Sequence, residues 1–82
     1  MSDEFITNCK NIGSDLYGKV AEAIVEHGPL TDEEIEPFTR IMSIDMVRAV
    51  ITDLSRRGLI KGTRVKDERK GWFVIKYEMV DK

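Results

Sequence analysis

Apolar residues recur every three or four positions along two stretches of the chain, which is the spacing of amphipathic helices. The first stretch predicts a helix from about Asp15 to His27, capped by Ser14. The second predicts a helix over residues 44–57, capped by Ser43. A glycine follows each stretch and favours the left-handed turn that ends a helix. The stripes that should face a core are Leu16, Val20, Ala23 and Ile24 in the first helix, and Ile44, Met46, Val47, Val50, Ile51 and Leu54 in the second.

A further helix should begin between these two, at the motif Thr31-Asp32-Glu33-Glu34. The threonine and the last glutamate of this motif form a capping box, and the acidic side chains suit the positive end of the helix dipole. Ile35 and Phe38 are then expected to face the core. Pro37 lacks a backbone donor and disfavours helical geometry in the residue before it, so this helix is either very short or bent.

The first thirteen residues leave two alternatives open. They form either a short helix, with Phe5, Ile6 and Cys9 on one stripe, or a flexible leader. Cys9 is the single cysteine, and one thiol forms neither an intrachain disulfide nor a zinc cluster. We therefore expect Cys9 to be a small buried or half-buried hydrophobe.

The last third of the chain has the pattern of a β-hairpin. Residues 59–65 and 72–80 predict two strands, the second rich in aromatic and β-branched side chains. The polar, basic segment 66–71 predicts the connecting loop, and Leu30 is expected to add one bridge to the sheet. Because two strands alone are only marginally stable, the hairpin should pack on the helices.

Together these elements predict an α+β fold of the winged helix-turn-helix class, in a single domain over residues 1–82. It would have three helices, with an extra N-terminal helix as the open alternative, and a C-terminal two-stranded hairpin as the wing. Helix 44–57 would be the recognition helix. A chain of 82 residues has a thin core and no room for a deep substrate cleft as well.

The net charge of −2 conceals an asymmetry between two parts of the chain. Residues 1–55 carry four basic and eleven acidic side chains, whereas residues 56–82 carry nine basic and four acidic ones. A basic segment on an otherwise acidic domain indicates one face for a polyanion and one face that repels it. Double-stranded DNA is therefore the first partner we expect, which predicts a DNA-binding transcription regulator.

Two groups of residues are candidates for contacting DNA. The recognition helix would enter the major groove, and the wing, over residues 61–72, would lie on the phosphate backbone or in the minor groove. Asp45 and Asp53 lie near the same helix face and would repel phosphates, so the alternative is a solvated face on which Arg48 pairs with one of them. The candidate contacts are Ser43, Arg48, Thr52 and Arg56 on the helix, and Lys61, Arg64, Lys66, Arg69 and Lys70 on the wing.

A second hypothesis is a winged helix that binds a protein, such as a polymerase, without meeting DNA. The acidic first two-thirds of the chain and the aromatic strand support it. We expect Trp72 to pack in the core or at the base of the wing, and its exposure would favour a role in partner binding. Phe5 and Ile6, or the strand end Met79-Val80, could form the contact of a homodimer.

The sequence offers no recognisable catalytic or metal-binding constellation, so we expect neither an enzyme nor a cofactor or metal. His27, the single histidine, has no nucleophile at a recognisable spacing, and there is no phosphate-binding glycine loop. No apolar run approaches the roughly 20 residues that span a bilayer, and the acidic N-terminus does not resemble a signal peptide. The expected location is cytoplasmic, with nucleoid association in an archaeon or bacterium.

Two segments resemble the N-terminal winged-helix domain of archaeal transcription factor E, the counterpart of the large subunit of eukaryotic TFIIE. They are residues 64–73, Arg-Val-Lys-Asp-Glu-Arg-Lys-Gly-Trp-Phe, and residues 28–35, Gly-Pro-Leu-Thr-Asp-Glu-Glu-Ile. The resemblance implies a role in transcription initiation, with RNA polymerase and promoter DNA near the melted region as partners. The chain departs from that family in segment 36–42, which carries a proline, and its single cysteine cannot supply the zinc ribbon that follows this domain there.

Overall fold

Within residues 2–40 and 43–80, which this computed structural model describes, the chain forms four helices followed by two strands. The second and fourth helices confirm the two predicted from the apolar stripes, to within one residue at their ends. In chain order the elements are α1 (Ser2–Ile12), α2 (Asp15–His27), α3 (Asp32–Thr39), α4 (Ile44–Arg56), β1 (Ile60–Asp67) and β2 (Trp72–Met79).

Local hydrogen bonds fix where α2 and α4 begin and where α4 ends. Ser14 and Ser43 each adopt an extended backbone, and their hydroxyl oxygens accept from amides two or three residues further along the chain. After α4, Gly58 takes a φ of 76°, and the amide of Leu59 donates to the carbonyl of Leu54 at 3.0 Å. This is the Schellman arrangement, and it turns the chain into β1.

The predicted capping box opens α3, and this helix is short rather than bent. The Glu34 amide donates to Thr31 Oγ1 at 3.1 Å, and the Thr31 amide donates to Glu34 Oε1 at 2.9 Å. Pro37 lies two residues before the end of α3, and the chain leaves the helix through Arg40, whose φ is 63°. Ile41 and Met42, which end the segment that departs from the resembled family, lie outside the described residues.

Two predictions about which side chains face the core were wrong. Phe38 is 47% exposed and stacks on His27, with ring centroids 3.9 Å apart, because the short α3 turns it toward the end of α2 instead of the core. Met46 is also exposed, since it lies in the first turn of α4, where the buried stripe has not yet begun.

Residues 2–12 form a helix, which decides between the two alternatives for the start of the chain. α1 packs on α2, and both Phe5 and Cys9 are buried in the core. The helices come close at Gly18, where a Cβ atom would lie 2.4 Å from a side-chain carbon of Lys10. The segment is therefore part of the domain's packing rather than a leader.

β1 and β2 form the predicted antiparallel hairpin, but β1 reaches closer to the turn than expected. The register runs from Ile60↔Met79 to Asp67↔Trp72, so β1 extends two residues into the segment that we expected to be loop. Lys66 and Asp67 thus belong to the strand, and residues 68–71 make the turn. Leu30 adds the expected single bridge, which it forms with Tyr77 on the other side of β2.

The helices and the base of the hairpin enclose one hydrophobic core. Within the described residues it contains Phe5, Cys9, Val20, Ala21, Ala23, Ile24, Leu30, Ile35, Val47, Val50, Ile51, Leu54 and Ile60. The outer half of the hairpin lies outside this core, and the order of elements is that of a winged helix with α4 as the recognition helix and the hairpin as the wing.

Candidate functional site

The recognition helix is tied to α3 through its central arginine. Arg48 Nε donates to Asp32 Oδ2 at 2.7 Å. This hydrogen bond, followed by the charge of Asp32, raises the pKa of the Arg48 guanidinium above its ordinary value. In the alternative considered from the sequence, Arg48 would pair with Asp45 or Asp53 of its own helix. Its partner in the structure is instead Asp32, the first residue of α3.

Asp53 accepts hydrogen bonds from a residue of α2 and from the C-cap residue of its own helix. The Tyr17 hydroxyl donates to Asp53 Oδ2 at 2.7 Å, and Arg57 Nε donates to Asp53 Oδ1 at 3.0 Å. These two hydrogen bonds lower the pKa of Asp53, and the bond to Asp53 in turn raises the pKa of Tyr17. Of the two aspartates expected to repel phosphates, only Asp45 therefore remains fully exposed.

The hydroxyl groups proposed for phosphate contact already have partners within α4. Thr52 Oγ1 donates to the carbonyl of Arg48 at 2.9 Å, and Ser43 Oγ accepts from the Met46 amide at 3.3 Å. Arg56 is exposed in the last turn of the helix and forms no ion pair with another described residue. On this helix it is the candidate cation best placed to meet a ligand.

Ion pairs join the wing to the acidic first turn of α3. Lys70 Nζ lies 3.2 Å from Glu33 Oε2, and Lys76 Nζ lies 3.9 Å from Glu34 Oε1. With Asp32 bound to α4, each of the three acidic residues that open α3 meets a cation from another element. These pairs hold the wing beside the start of α3, although each exposed pair is worth little by itself.

The remaining cations of the wing are distributed from its base to its turn. Lys61 pairs with Glu78 across the hairpin at 3.6 Å, whereas the Arg64 guanidinium lies over the ring of Phe73, 5.7 Å from its centroid. Asp67 stabilises the turn, because its carboxylate accepts from the two backbone amides of residues 69 and 70. Among the nine predicted DNA contacts, the cations without an ion pair to another described residue are Arg56, Arg64, Lys66 and Arg69.

Large apolar side chains of the wing are exposed to solvent. Trp72 is 64% exposed, Phe73 59% and Ile75 42%, and Val65 lies just above one-third. Because side chains alternate along a strand, Phe73 and Ile75 share one face of the hairpin, while Trp72 and Val65 share the other. The wing therefore carries apolar groups on both faces.

The expectation that Trp72 packs in the core or at the base of the wing was wrong. Trp72 pairs with Asp67 at the far end of the hairpin, outside the core. Sequence reasoning also missed Phe73, Ile75 and Val65. A signal for them was present: the run Trp-Phe-Val-Ile is apolar at every position, yet one face at most of a two-stranded hairpin can pack on a core.

Comparison with known proteins relates this geometry to a family. The family model of the TFIIE alpha subunit matches residues 4–82, which include every strand and all but the first residues of α1. The chain therefore belongs to the TFIIE alpha family.

Two relatives show how much of a longer protein this chain covers. Transcription factor E of Cenarchaeum symbiosum is 49% identical over 75 residues, which is 92% of this chain and 43% of the relative. Transcription factor E of Pyrococcus abyssi is 32% identical over 73 residues, which is 89% of this chain and 38% of the relative. The chain thus spans about two-fifths of the length of these relatives, and within the TFIIE alpha family it is a winged-helix module of the initiation-factor type.

The family match also bears on the start of the chain, where Phe5 and Ile6 were proposed as partner contacts. The matched region begins within α1, so this helix belongs to the TFIIE alpha domain. Phe5 is only 7% exposed and packs in the core, so it has almost no surface to offer a partner. Ile6 is partly buried against the same core, as is Met79, and a homodimer through either stays a prediction.

Candidate ligands for a metal do not cluster in the described part of this TFIIE alpha domain. Residues 2–40 and 43–80 contain no group of three or more histidine, cysteine or acidic side chains able to hold an ion. Cys9 is fully buried, and this burial raises the pKa of its thiol to about 11. In the same residues no helix has the length and apolar character needed to cross a membrane.

Proposed function

We propose that this TFIIE alpha family domain is an initiation-factor module that docks on a protein of the transcription machinery, RNA polymerase first, through the exposed apolar side chains of its wing. The observation that carries the proposal is the exposure of Trp72 and Phe73 at the outer end of the hairpin, outside the core. Exposed apolar clusters on a small monomer mark interaction sites. Tryptophan is enriched among the residues that dominate binding energy at protein interfaces.

The charges near these two side chains, which lie on opposite faces of the hairpin, also suit a protein surface. Arg64 lies against Phe73, and Lys66 and Arg69 lie along the same half of the wing. An interface with an apolar centre and a charged rim has this arrangement. Burying a large apolar side chain contributes about 1.5–3 kcal/mol, so two of them can dominate the affinity of a small contact.

The docking proposal is tested with purified RNA polymerase from the same organism. Trp72→Ala and Phe73→Ala should each weaken capture of the polymerase by the immobilised domain at least tenfold. Met46→Ala is the matched control, because Met46 is a similarly exposed apolar residue on α4, away from the wing. Equal capture by the wild-type domain and both wing variants would refute the proposal, as would an equal loss with Met46→Ala.

A second candidate function is binding of duplex DNA, supported by the cations without ion pairs on α4 and the wing. Arg56 lies on the helix that would enter the major groove, and Arg64, Lys66 and Arg69 lie on the wing. Against it, Arg48 is held by Asp32, and Asp45 lies exposed on the same helix. We therefore rank DNA contact below protein docking.

Fluorescence anisotropy with a labelled DNA duplex at two salt concentrations tests this second function. Binding through a few phosphates weakens steeply with salt, and each cation removed should reduce the slope of log affinity against log salt by about one. Arg56→Gln should lower that slope, whereas Lys19→Gln, on the exposed face of α2, should leave it unchanged. Binding that is absent at micromolar protein, or insensitive to salt, would exclude this function.

A further inference from the structure

The two edges of β2 differ in how many of their backbone N–H and C=O groups form hydrogen bonds. On one edge β2 pairs with β1 along its whole length. On the other edge it is bridged at Tyr77, whose amide donates to the carbonyl of Leu30 at 2.7 Å and whose carbonyl accepts from the Leu30 amide at 3.2 Å. Because alternate residues of a strand direct both backbone groups to the same edge, Ile75 and Phe73 present theirs on the Leu30 side. Within residues 2–40 and 43–80, these backbone groups have no hydrogen-bond partner.

The edge stays open because the chain turns away immediately after the bridge. Thr31 follows Leu30 and begins the capping box of α3, so no strand continues beside Ile75 and Phe73. A groove of about 320 Å³ lies along this edge, and the start of α3 and the side chain of Arg48 form its opposite wall. Its lining includes Thr31, Arg48, Trp72, Phe73, Ile75 and Tyr77.

The two free edges of the hairpin differ in the side chains that flank their unpaired backbone groups. The outer edge of β1 carries the backbone groups of Arg64 and Lys66, and charged residues on an edge discourage addition of another strand. The open edge of β2 instead presents Phe73 and Ile75, in a regular register without a proline or a bulge. Aromatic and β-branched residues on a regular edge favour strand pairing.

We propose that an extended segment of a partner protein adds to the open edge of β2 as a further strand, hydrogen-bonded to the backbone of Phe73 and Ile75. Recognition of a peptide by strand addition uses the main chain for affinity and alternate side chains for specificity. This inference rests on the proposed docking function, since it states how the wing would hold its partner. It places the contact on the backbone of the strand as well as on its exposed side chains.

The side chains on the two faces of β2 define the chemistry of that segment. Residues opposite Phe73 and Ile75 would point to the face on which Arg64 reaches across the Phe73 ring. The two carboxylates that line the groove, Asp32 and Glu33, are already paired with Arg48 and Lys70, so acidic side chains fit beside Arg64. Residues opposite Trp72 and Val74 would point to the other face, where the largely exposed indole offers an apolar surface. The segment should therefore alternate acidic and apolar residues.

The probe is a hexapeptide of alternating glutamate and valine with both ends blocked, titrated into the ¹⁵N-labelled domain. Binding at low millimolar peptide should shift the amide resonances of Phe73 and Ile75 and slow their hydrogen exchange. The same peptide with lysine in place of glutamate should bind at least tenfold more weakly, since it meets Arg64 with like charge. No change at these two amides with the glutamate peptide overturns the proposal.

Two variants of one residue separate the backbone contact from the side-chain contact. Ile75→Pro removes an amide that points to the open edge and takes no part in pairing with β1, so the hairpin should persist. Ile75→Ala removes most of the same side chain but keeps the amide. Strand addition predicts that Ile75→Pro weakens binding of the glutamate peptide at least tenfold more than Ile75→Ala does. Lys66→Pro, on the outer edge of β1, should bind the peptide about as tightly as the wild-type domain. Equal binding by Ile75→Pro and Ile75→Ala, each checked for native chemical-shift dispersion, contradicts the proposal.

The polymerase and peptide experiments distinguish the two proposals. If Trp72→Ala abolishes polymerase capture but the glutamate peptide leaves Phe73 and Ile75 unchanged, docking stands and strand addition is overturned. If the peptide adds at this edge but polymerase capture does not depend on the wing, the edge site stands and the docking function fails.

Discussion

Arg48 on the recognition helix and Asp32 at the start of α3 share a 2.7 Å hydrogen bond that links the two helices. One of the two arginines that the sequence offered on this helix for contact with a phosphate or a base therefore already has an anionic partner within the domain. Exposed ion pairs of this kind contribute little stability, so a phosphate could replace the carboxylate. The pair bears on DNA binding more than on folding.

Asp32→Asn is expected to strengthen binding to duplex DNA a few-fold if this helix meets DNA. It frees Arg48 and should make the slope of log affinity against log salt steeper by about one. Asp45→Asn is the matched control, because it makes the same change in net charge at an exposed residue of α4. Asp45 forms no ion pair with a described residue, so this variant releases no cation. An equal gain in both variants would show that net charge, rather than release of Arg48, is responsible.

The hydrogen bond from Tyr17 to Asp53 should make part of the stability depend on pH. Its contribution is present above the unfolded-state pKa of an aspartate and is lost as the pH falls through the lowered pKa of folded Asp53. Tyr17→Phe should therefore lower the free energy of unfolding modestly at pH 7, with a smaller difference at a pH of about 3. Urea unfolding at both pH values measures this.

A second tyrosine provides the control for this pH effect. Tyr77 has its pKa raised chiefly by burial and forms no side-chain hydrogen bond with a described residue. Tyr77→Phe should change the free energy of unfolding by a similar amount at both pH values. A Tyr17→Phe effect that is equally independent of pH would contradict the role given to Asp53.

Phe5→Ala should destabilise the domain by about 3–5 kcal/mol, because it removes a buried aromatic side chain by which α1 joins the core. Thr7→Ala, on the exposed side of the same helix, should change the stability by no more than about 0.5 kcal/mol. Urea unfolding of both variants tests whether α1 folds with the rest. A small effect of Phe5→Ala would mean that α1 behaves as the flexible leader of the other alternative.

Cys9 should be inert in the folded protein. It is fully buried and its pKa is raised to about 11, so little thiolate is present at neutral pH and reagents have no access. Labelling with a thiol-reactive dye should proceed only when urea unfolds the chain. A Cys9→Ala, Thr7→Cys variant, which moves the thiol to the exposed side of α1, should react rapidly without urea, and rapid labelling of native Cys9 would contradict the burial.

The wing illustrates where prediction from the sequence stopped. The run of aromatic and β-branched residues identified β2. The alternation of side chains along a strand shows which residues share a face, but it does not show how much of the strand the core covers. Trp72 is exposed because it lies at the outer end of the hairpin, whereas the strand residue buried in the core is Ile60, at the base. The site at the open edge of β2 depends on the same distance from the core.

The sequence by itself determined the helices α2 and α4, the capping box of α3, the hairpin and the bridge at Leu30. Caps, glycine turns and apolar periodicity act between residues a few positions apart, so they can be read along the chain. Only the tertiary structure decided that Arg48 pairs with Asp32, 16 residues away, and that Lys70 pairs with Glu33, 37 residues away. Those choices follow from how α3 packs between α4 and the wing, because an ion pair forms with whichever opposite charge the packing brings within reach.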